Sequence, residues 1–135
     1  MSKTMNYQPW LQAVLAIAKH YRIEPSEERL RLQLDWNPSQ SLDDILILVS
    51  RQIGMSLRKT EFSEDILNPW RLPLLIQMQD GQVGVLNQLD ANGNANIQFS
   101  GDQGLAQVLT VELLKENVNN VYILRPEKSI PDVRI

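Results

Sequence analysis

Few residues in this chain are candidates for catalysis or metal binding, and each candidate can also be explained by a structural role. His20 is the single histidine and could act as a general base, but the chain has no cysteine for it to activate and no acid obviously placed to orient it. A partly exposed histidine on a helix is the better interpretation. Asp43 and Asp44 are adjacent carboxylates that could ligate a metal ion. Because they fall in the first turn of a predicted helix, we expect them to stabilise its positive end instead.

Two short glycine-bearing stretches superficially resemble ligand-binding loops. Residues 90–94, Asp-Ala-Asn-Gly-Asn, carry side-chain oxygens but lack the alternating ligands and the distal glutamate of a calcium loop. Residues 81–84, Gly-Gln-Val-Gly, are too few and wrongly placed for a phosphate-binding loop. We interpret the first stretch as a polar turn and the second as a strand that follows a hairpin turn.

The composition is that of one compact domain and excludes several functional classes. The chain has 135 residues, of which 43% are hydrophobic, enough for a core of its own. The absence of cysteine excludes disulfides and thiolate catalysis, and a single histidine argues against a zinc site. A net charge of −3 argues against nucleic acid as a partner. No apolar run approaches the ~20 residues that span a bilayer, and no signal peptide is recognisable. We therefore expect a soluble, cytoplasmic domain that does not itself insert into a membrane.

Hydrophobic periodicity predicts four helices. They cover residues 9–22, a short segment from Ser26 that Asn37-Pro38 ends, residues 41–53 and residues 110–118. The third is the most clearly marked, because Ser41 is a suitable N-cap with Asp44 three positions later, and Gly54 suits the residue after its end.

Alternating apolar residues predict an antiparallel sheet after these first three helices. The strands lie around Leu57 and at residues 74–79, 83–89, 97–99 and 121–124, with a hairpin turn at Asp80-Gly81. Helices followed by an antiparallel meander indicate an α+β domain, here residues 1–126, and the polar residues 127–135 are predicted to be a linker. The glutamine and asparagine content of the strands is consistent with one solvated sheet face, although an ordinary antiparallel sheet looks the same.

The order of these elements resembles the papain-like leader-peptidase domain at the N-terminus of bacterial peptidase-containing ABC exporters. The likeness is carried by residues 41–81 (SLDDILILVSRQIGMSLRKTEFSEDILNPWRLPLLIQMQDG), 13–21 (AVLAIAKHY) and 111–124 (VELLKENVNNVYIL). The resemblance implies a papain-like α+β fold, with N-terminal helices packed on an antiparallel sheet.

The catalytic positions of that family fall on residues that cannot perform its chemistry. The place of the nucleophilic cysteine corresponds to Pro9, that of the histidine to Val83, and that of the orienting aspartate to Ser100, with Asp102 two residues on. A thiol peptidase needs a thiolate, a base that generates it and a group that orients the base. The resemblance therefore implies a domain with no catalytic residue.

A form of the fold without its catalytic residues resembles the peptidase-like domains of type I secretion exporters for RTX toxins and adhesins. This resemblance implies a domain that holds unfolded secreted cargo on the cytoplasmic side of the bacterial inner membrane, for ATP-driven export. The partners would be that cargo and the remainder of the transporter, whose transmembrane and ATP-binding parts would follow Ile135. The domain itself would need no cofactor, and ATP with Mg²⁺ would act in the parent transporter. Two alternatives stay open: a structural or regulatory domain that contacts the nucleotide-binding domain alone, and a hydrolase of unrelated chemistry, for which no Gly-x-Ser-x-Gly elbow is present.

Four residues are candidates for contact with cargo. Trp10 lies beside the nucleophile position, Val83 occupies the base position, Gln77 lies in the predicted sheet and Trp70 lies in a connector. Aromatic residues in connectors are either core plugs or exposed anchors for a partner. We expect core packing for all three tryptophans, Trp10, Trp36 and Trp70.

Overall fold

The computed structural model describes residues 8–23, 41–100 and 106–127. Within these ranges the chain forms three helices, α1 (Gln8–His20), α2 (Leu42–Gln52) and α3 (Val111–Asn117). The strands are β1 (Met55–Thr60), β2 (Leu74–Met78), β3 (Val83–Leu89), β4 (Ala95–Phe99), β5 (Ala106–Leu109) and β6 (Val118–Pro126). Two 3-10 turns, Glu64–Ile66 and Pro69–Arg71, connect β1 to β2.

The six strands form one antiparallel sheet in the order β1-β6-β2-β3-β4-β5. The helices pack on this sheet, which confirms the α+β prediction. The predicted meander is correct for β2 to β4. The last strand, β6, does not lie at the end of the meander, because it enters the sheet between β1 and β2 and pairs with both.

Local signals determine the ends of α2, as predicted. The Ser41 hydroxyl oxygen accepts a hydrogen bond from the Asp44 backbone N–H at 3.1 Å, which satisfies one of the unpaired donors of the first turn. After the helix, Gly54 takes a φ of +79°, a conformation that residues with a Cβ rarely adopt. The apolar stripe that the sequence predicts is buried at Ile45, Leu46 and Val49.

The turns that lead into β3 and β4 are also as predicted. Gly81 has a φ of +95°, and the Asp80 carboxylate accepts a hydrogen bond from the Gln82 N–H at 3.0 Å. In the second turn, the Asp90 carboxylate accepts hydrogen bonds from the backbone N–H groups two and four residues later, at 2.8 and 2.9 Å. Both bonds are accepted by Asp90 Oδ1 and close a local turn, so the polar-turn interpretation is confirmed.

Both faces of the central sheet are buried, so of the two interpretations left open for the glutamine and asparagine content, the one with a solvated sheet face is wrong. Leu74, Leu75 and Ile76 are consecutive in β2 and each is at most 1% exposed. Leu75 packs on the side of α1 and α2, together with Val83, Val85, Tyr122 and Leu124. Leu74 and Ile76 pack on the α3 side, together with Leu86, Ile97, Phe99, Leu114 and Val121. The exposed amides Asn87 and Gln88 lie beyond the covered part of β3.

Other differences from the sequence predictions concern β5 and the outer segments. The strand β5 was not expected, because its first three residues are exposed and the segment has no buried alternating stripe. The predicted short helix from Ser26, Trp36 and most of the predicted linker lie outside the described residues. Within the described ranges, no helix is long and apolar enough to cross a membrane.

Candidate functional site

The fold brings together the elements that carry the three mapped catalytic positions. Pro9 is half-buried in the first turn of α1, Val83 begins β3 and is 2% exposed, and Ser100 follows β4 and is half-buried. The Ser100 N–H donates a hydrogen bond to the Val83 carbonyl oxygen at 2.8 Å, so two of the positions are directly adjacent. Helix α1 packs against β3. The elements that carry these three positions are therefore neighbours in the fold, and the side chains there are those of proline, valine and serine.

A small cleft lies between α1 and the strands β3 and β4. Its volume is about 140 Å³, and it is lined by Gln12, Ala13, Ala16, Val85, Gln98, Phe99 and Ser100. None of these described lining residues is titratable near neutral pH, so general acid–base catalysis has no carrier among them. The lining can offer a ligand van der Waals contact, amide groups and one hydroxyl group.

Trp10 belongs to a buried cluster that joins α1, α2, β1 and β6. Its ring meets the Tyr122 ring edge-on, with centroids 5.6 Å apart and an interplanar angle of 88°. The Tyr122 hydroxyl donates a hydrogen bond to Asp43 Oδ1 at 2.9 Å, and Lys59 Nζ lies 3.2 Å from Asp43 Oδ2. Burial, followed by the hydrogen bond to Asp43, raises the pKa of Tyr122 well above its ordinary value, so this hydroxyl stays neutral and acts as a donor.

This cluster gives Trp10 and Asp43 structural roles. Trp10 is 4% exposed, which confirms the prediction of core packing and leaves its indole ring covered. Asp43 lies in the first turn of α2, as expected, and additionally connects that helix to the sheet. The sequence pattern alone could not reveal this connection, because Asp43 and Tyr122 are 79 residues apart.

The other candidate residues for cargo contact differ in their accessibility. Val83 is buried, and the half-buried Gln77 side-chain oxygen accepts a hydrogen bond from Asn120 Nδ2 at 2.9 Å. Trp70 is 86% exposed, so the expectation that it packs in the core is wrong. Its backbone is held by Asn68, whose side-chain oxygen accepts the Trp70 N–H at 2.8 Å, while the indole ring projects outward. Trp70 precedes β2, whereas Gln77 pairs with Val83 near the other end of that strand, so the four candidates do not form one site.

Two of the residues that line a wide polar groove are lysines whose charges are already compensated. The groove has a volume of about 770 Å³ and is lined by Lys59, Thr60, Glu61, Phe62, Ser63, Lys115, Val118, Asn119 and Asn120. Lys59 pairs with Asp43, and Lys115 forms a salt bridge with Glu64. The hydrogen bond that the Lys115 ammonium donates to Glu64 raises the pKa of Lys115. The two ammonium groups of this groove therefore do not form an uncompensated anion site.

His20 is exposed at the end of α1, as predicted, and its ring meets the Tyr21 ring edge-on at 5.0 Å. No group of three or more histidine, cysteine, aspartate or glutamate side chains converges within the part of the chain that the structure describes.

Comparison with known proteins identifies the fold. No family model and no curated protein matches the sequence.

Among solved structures, the N-terminal peptidase C39-like domain of the toxin secretion ATP-binding protein from Vibrio parahaemolyticus superposes with a TM-score of 0.71 at 17% identity, covering 91% of this chain and 99% of that one. A double glycine motif protease from an AMS/PCAT transporter, in complex with the leader peptide, superposes with a TM-score of 0.68 at 13% identity, covering 93% of this chain and 89% of the other. The peptidase domain of Streptococcus ComA, a bifunctional ABC transporter involved in a quorum-sensing pathway, has a TM-score of 0.68 at 17% identity, covering 91% and 95% of the two chains. The fold is therefore that of the peptidase C39-like domains of ABC transporters, as the sequence resemblance implied.

Proposed function

We propose that this chain is a non-catalytic domain of a type I secretion ABC exporter and that it binds unfolded protein cargo, such as an RTX-type toxin or adhesin, for ATP-driven export. The parent transporter would be an ATPase that uses ATP with Mg²⁺, and this domain would lie on the cytoplasmic side of the bacterial inner membrane. The partners would be the cargo and the remainder of the transporter.

One observation carries the proposal: the described elements that carry the positions mapped by resemblance are neighbours in the fold, and the residues at those positions cannot perform thiol chemistry. The Val83 and Ser100 backbones are hydrogen-bonded at the positions of the base and the orienting acid, and α1 packs against β3 beside them. Yet the sequence has no cysteine, and neither valine nor serine can replace a histidine–aspartate pair. A well-packed fold without its reaction favours a binding role over a catalytic one.

Two of the solved structures with this fold support the kind of ligand. One is the C39-like domain of a toxin secretion protein, and another was solved in complex with a leader peptide. The fold can therefore serve a secretion protein and can hold a peptide. We expect binding of unfolded cargo to be weak, because ordering a flexible segment consumes part of the contact energy.

The test uses the purified 135-residue chain with two reagents. An RTX-type cargo segment is presented once unfolded and once folded, and binding is measured by pull-down and by titration. A peptide with a Gly-Gly leader is incubated with the same preparation and checked for cleavage. We expect binding of the unfolded segment only and no cleavage, and iodoacetamide should leave the domain unmodified.

Two results would contradict the proposal in different ways. Cleavage of the leader peptide by a clean preparation would show that the domain is an enzyme. Failure to bind either form of the cargo would remove the cargo-holding role. In that case a photo-crosslinking residue at the exposed Trp70 position in the full transporter provides the next test, because labelling of the nucleotide-binding domain would favour the regulatory alternative.

A further inference from the structure

Among the strands that the structure describes, β5 is the last at one end of the sheet. It pairs with β4 on one side, where Ala106 lies opposite Gln98 and Val108 opposite Asn96. Among the described residues no strand pairs with its other side. The first three residues of β5 are exposed. An edge strand of this kind presents unpaired backbone N–H and C=O groups, which can pair with another extended chain.

The residue types of β5 leave this edge without the usual protection. Proteins commonly protect exposed edges with charged side chains, lysine especially, or with proline. The opposite edge strand, β1, has Arg58 and Lys59, whereas β5 reads Ala-Gln-Val-Leu and has no charge and no proline. The two edges of one sheet thus differ in their capacity to accept an added strand.

Apolar surface flanks this edge on both faces of the sheet. Gln107 and Leu109 line a cleft of about 260 Å³ on the α3 side, together with Leu113, which is 44% exposed. Val108 points to the opposite face, because side chains alternate along a strand, and it is 57% exposed. A strand added beside β5 would therefore place successive side chains alternately on Val108 and on the Leu109–Leu113 surface.

We propose that β5 binds an extended, unfolded polypeptide segment as a seventh strand of the sheet. This proposal rests on the proposed function and assigns the unfolded cargo a place on the domain. An extended polypeptide is the ligand class whose backbone donors and acceptors match those of a strand edge, and pockets for alternate side chains add selectivity. Asp80 is the only charged residue among the described residues that line the cleft, so the segment would be apolar or basic rather than acidic.

The experiment maps the bound chain by hydrogen exchange. The probe is lysozyme, a basic protein, reduced and blocked with iodoacetamide so that it stays unfolded, and the matched control is the same protein with its disulfides intact. At saturating unfolded probe, we expect amide exchange in β5 to slow by about tenfold, since the edge amides gain partners. The folded control should leave β5 unchanged.

A pair of variants tests the contact directly. Val108→Lys removes an apolar contact and adds a charge to the edge, and we expect it to weaken binding of the unfolded probe by about tenfold. Leu48→Lys changes another exposed apolar residue, 37% exposed on α2, and should leave the affinity within about twofold of wild type.

The outcomes separate this proposal from the function on which it rests. If the unfolded probe binds but protects residues elsewhere, such as the cleft beside α1, strand addition at β5 is refuted while cargo binding stands. If the unfolded probe does not bind while the RTX-type segment does, strand addition of an unfolded polypeptide in general is refuted and cargo binding stands; if neither binds, both proposals fail. Should Val108→Lys not fold, the exchange map of the wild-type chain decides the matter alone.

Discussion

Leu46→Ala should destabilise the domain far more than Leu48→Ala, although both changes remove the same atoms from the same helix. Leu46 is 2% exposed and belongs to the core beneath α1 and α2, whereas Leu48 is 37% exposed. At Leu46 the change removes three buried carbon groups, and at about 0.8 kcal/mol each this lowers the free energy of unfolding by about 2.4 kcal/mol. The cavity that remains adds to this, so we expect a total loss of about 2–5 kcal/mol. At Leu48 we expect a loss below about 1 kcal/mol, because the removed atoms are partly hydrated already. The change in helix propensity is the same at both positions, so the difference reports burial.

The assay is equilibrium unfolding in urea, followed by circular dichroism. For a domain of this size the free energy of unfolding falls by about 1–3 kcal/mol per molar urea, so a loss of about 3 kcal/mol lowers the midpoint by about 1–3 M. The slope should be the same for the wild type and both variants, since a changed slope would report an altered denatured state.

Two results would refute the reasoning. If Leu46→Ala and Leu48→Ala lowered the free energy of unfolding equally, the apolar stripe of α2 would not face the sheet as predicted. A loss at Leu46 below about 0.5 kcal/mol, the usual scale of surface substitutions, would mean that this side chain is not buried.

Four further predictions follow from the site and the sheet. In the folded state the raised pKa of Tyr122 favours the neutral hydroxyl, so the free energy of unfolding should fall as pH rises above about 10. Tyr122→Phe should remove this part of the pH dependence and lower the free energy of unfolding by about 1–2 kcal/mol at neutral pH, because the hydrogen bond to Asp43 is lost. Urea unfolding measures both effects. Gly84→Ala should destabilise the domain by about 1–3 kcal/mol in the same assay, because the added Cβ would meet side-chain atoms of β4 at 2.9 Å; stability equal to wild type would show that β4 can move away. The double variant Pro9→Cys with Val83→His should not cleave a Gly-Gly leader peptide above background, because Ser100 offers no carboxylate to orient the new histidine, and clear turnover would show a preserved scaffold. Trp70→Ala should leave the free energy of unfolding within about 0.5 kcal/mol, since the ring is 86% exposed, and a larger loss would place that ring in the core.

Features that depend on a few neighbouring residues were predictable from the sequence. The cap at Ser41, the end of α2 at Gly54 and the hairpin turn at Asp80-Gly81 each follow from bonds and dihedral angles within about four residues. The strand β5 was not predictable, because an exposed edge strand has no buried stripe from which to recognise its period. Trp70 was misjudged for a similar reason: a tryptophan in a connector carries no periodic pattern, and its exposure depends on how the 3-10 turn is held.

The sequence by itself determined that thiol chemistry is impossible in this chain, because no residue can supply a thiolate. It also determined the positions of the main helices and turns, whose signals are local. Only the tertiary structure decided which residues meet. The insertion of β6 between β1 and β2 places Tyr122 against Trp10 and Asp43, and the pairing of β3 with β4 places Ser100 against Val83. These contacts, and the open edge at β5, depend on strand order and register, which arise from pairing between distant segments and leave no local mark in the sequence.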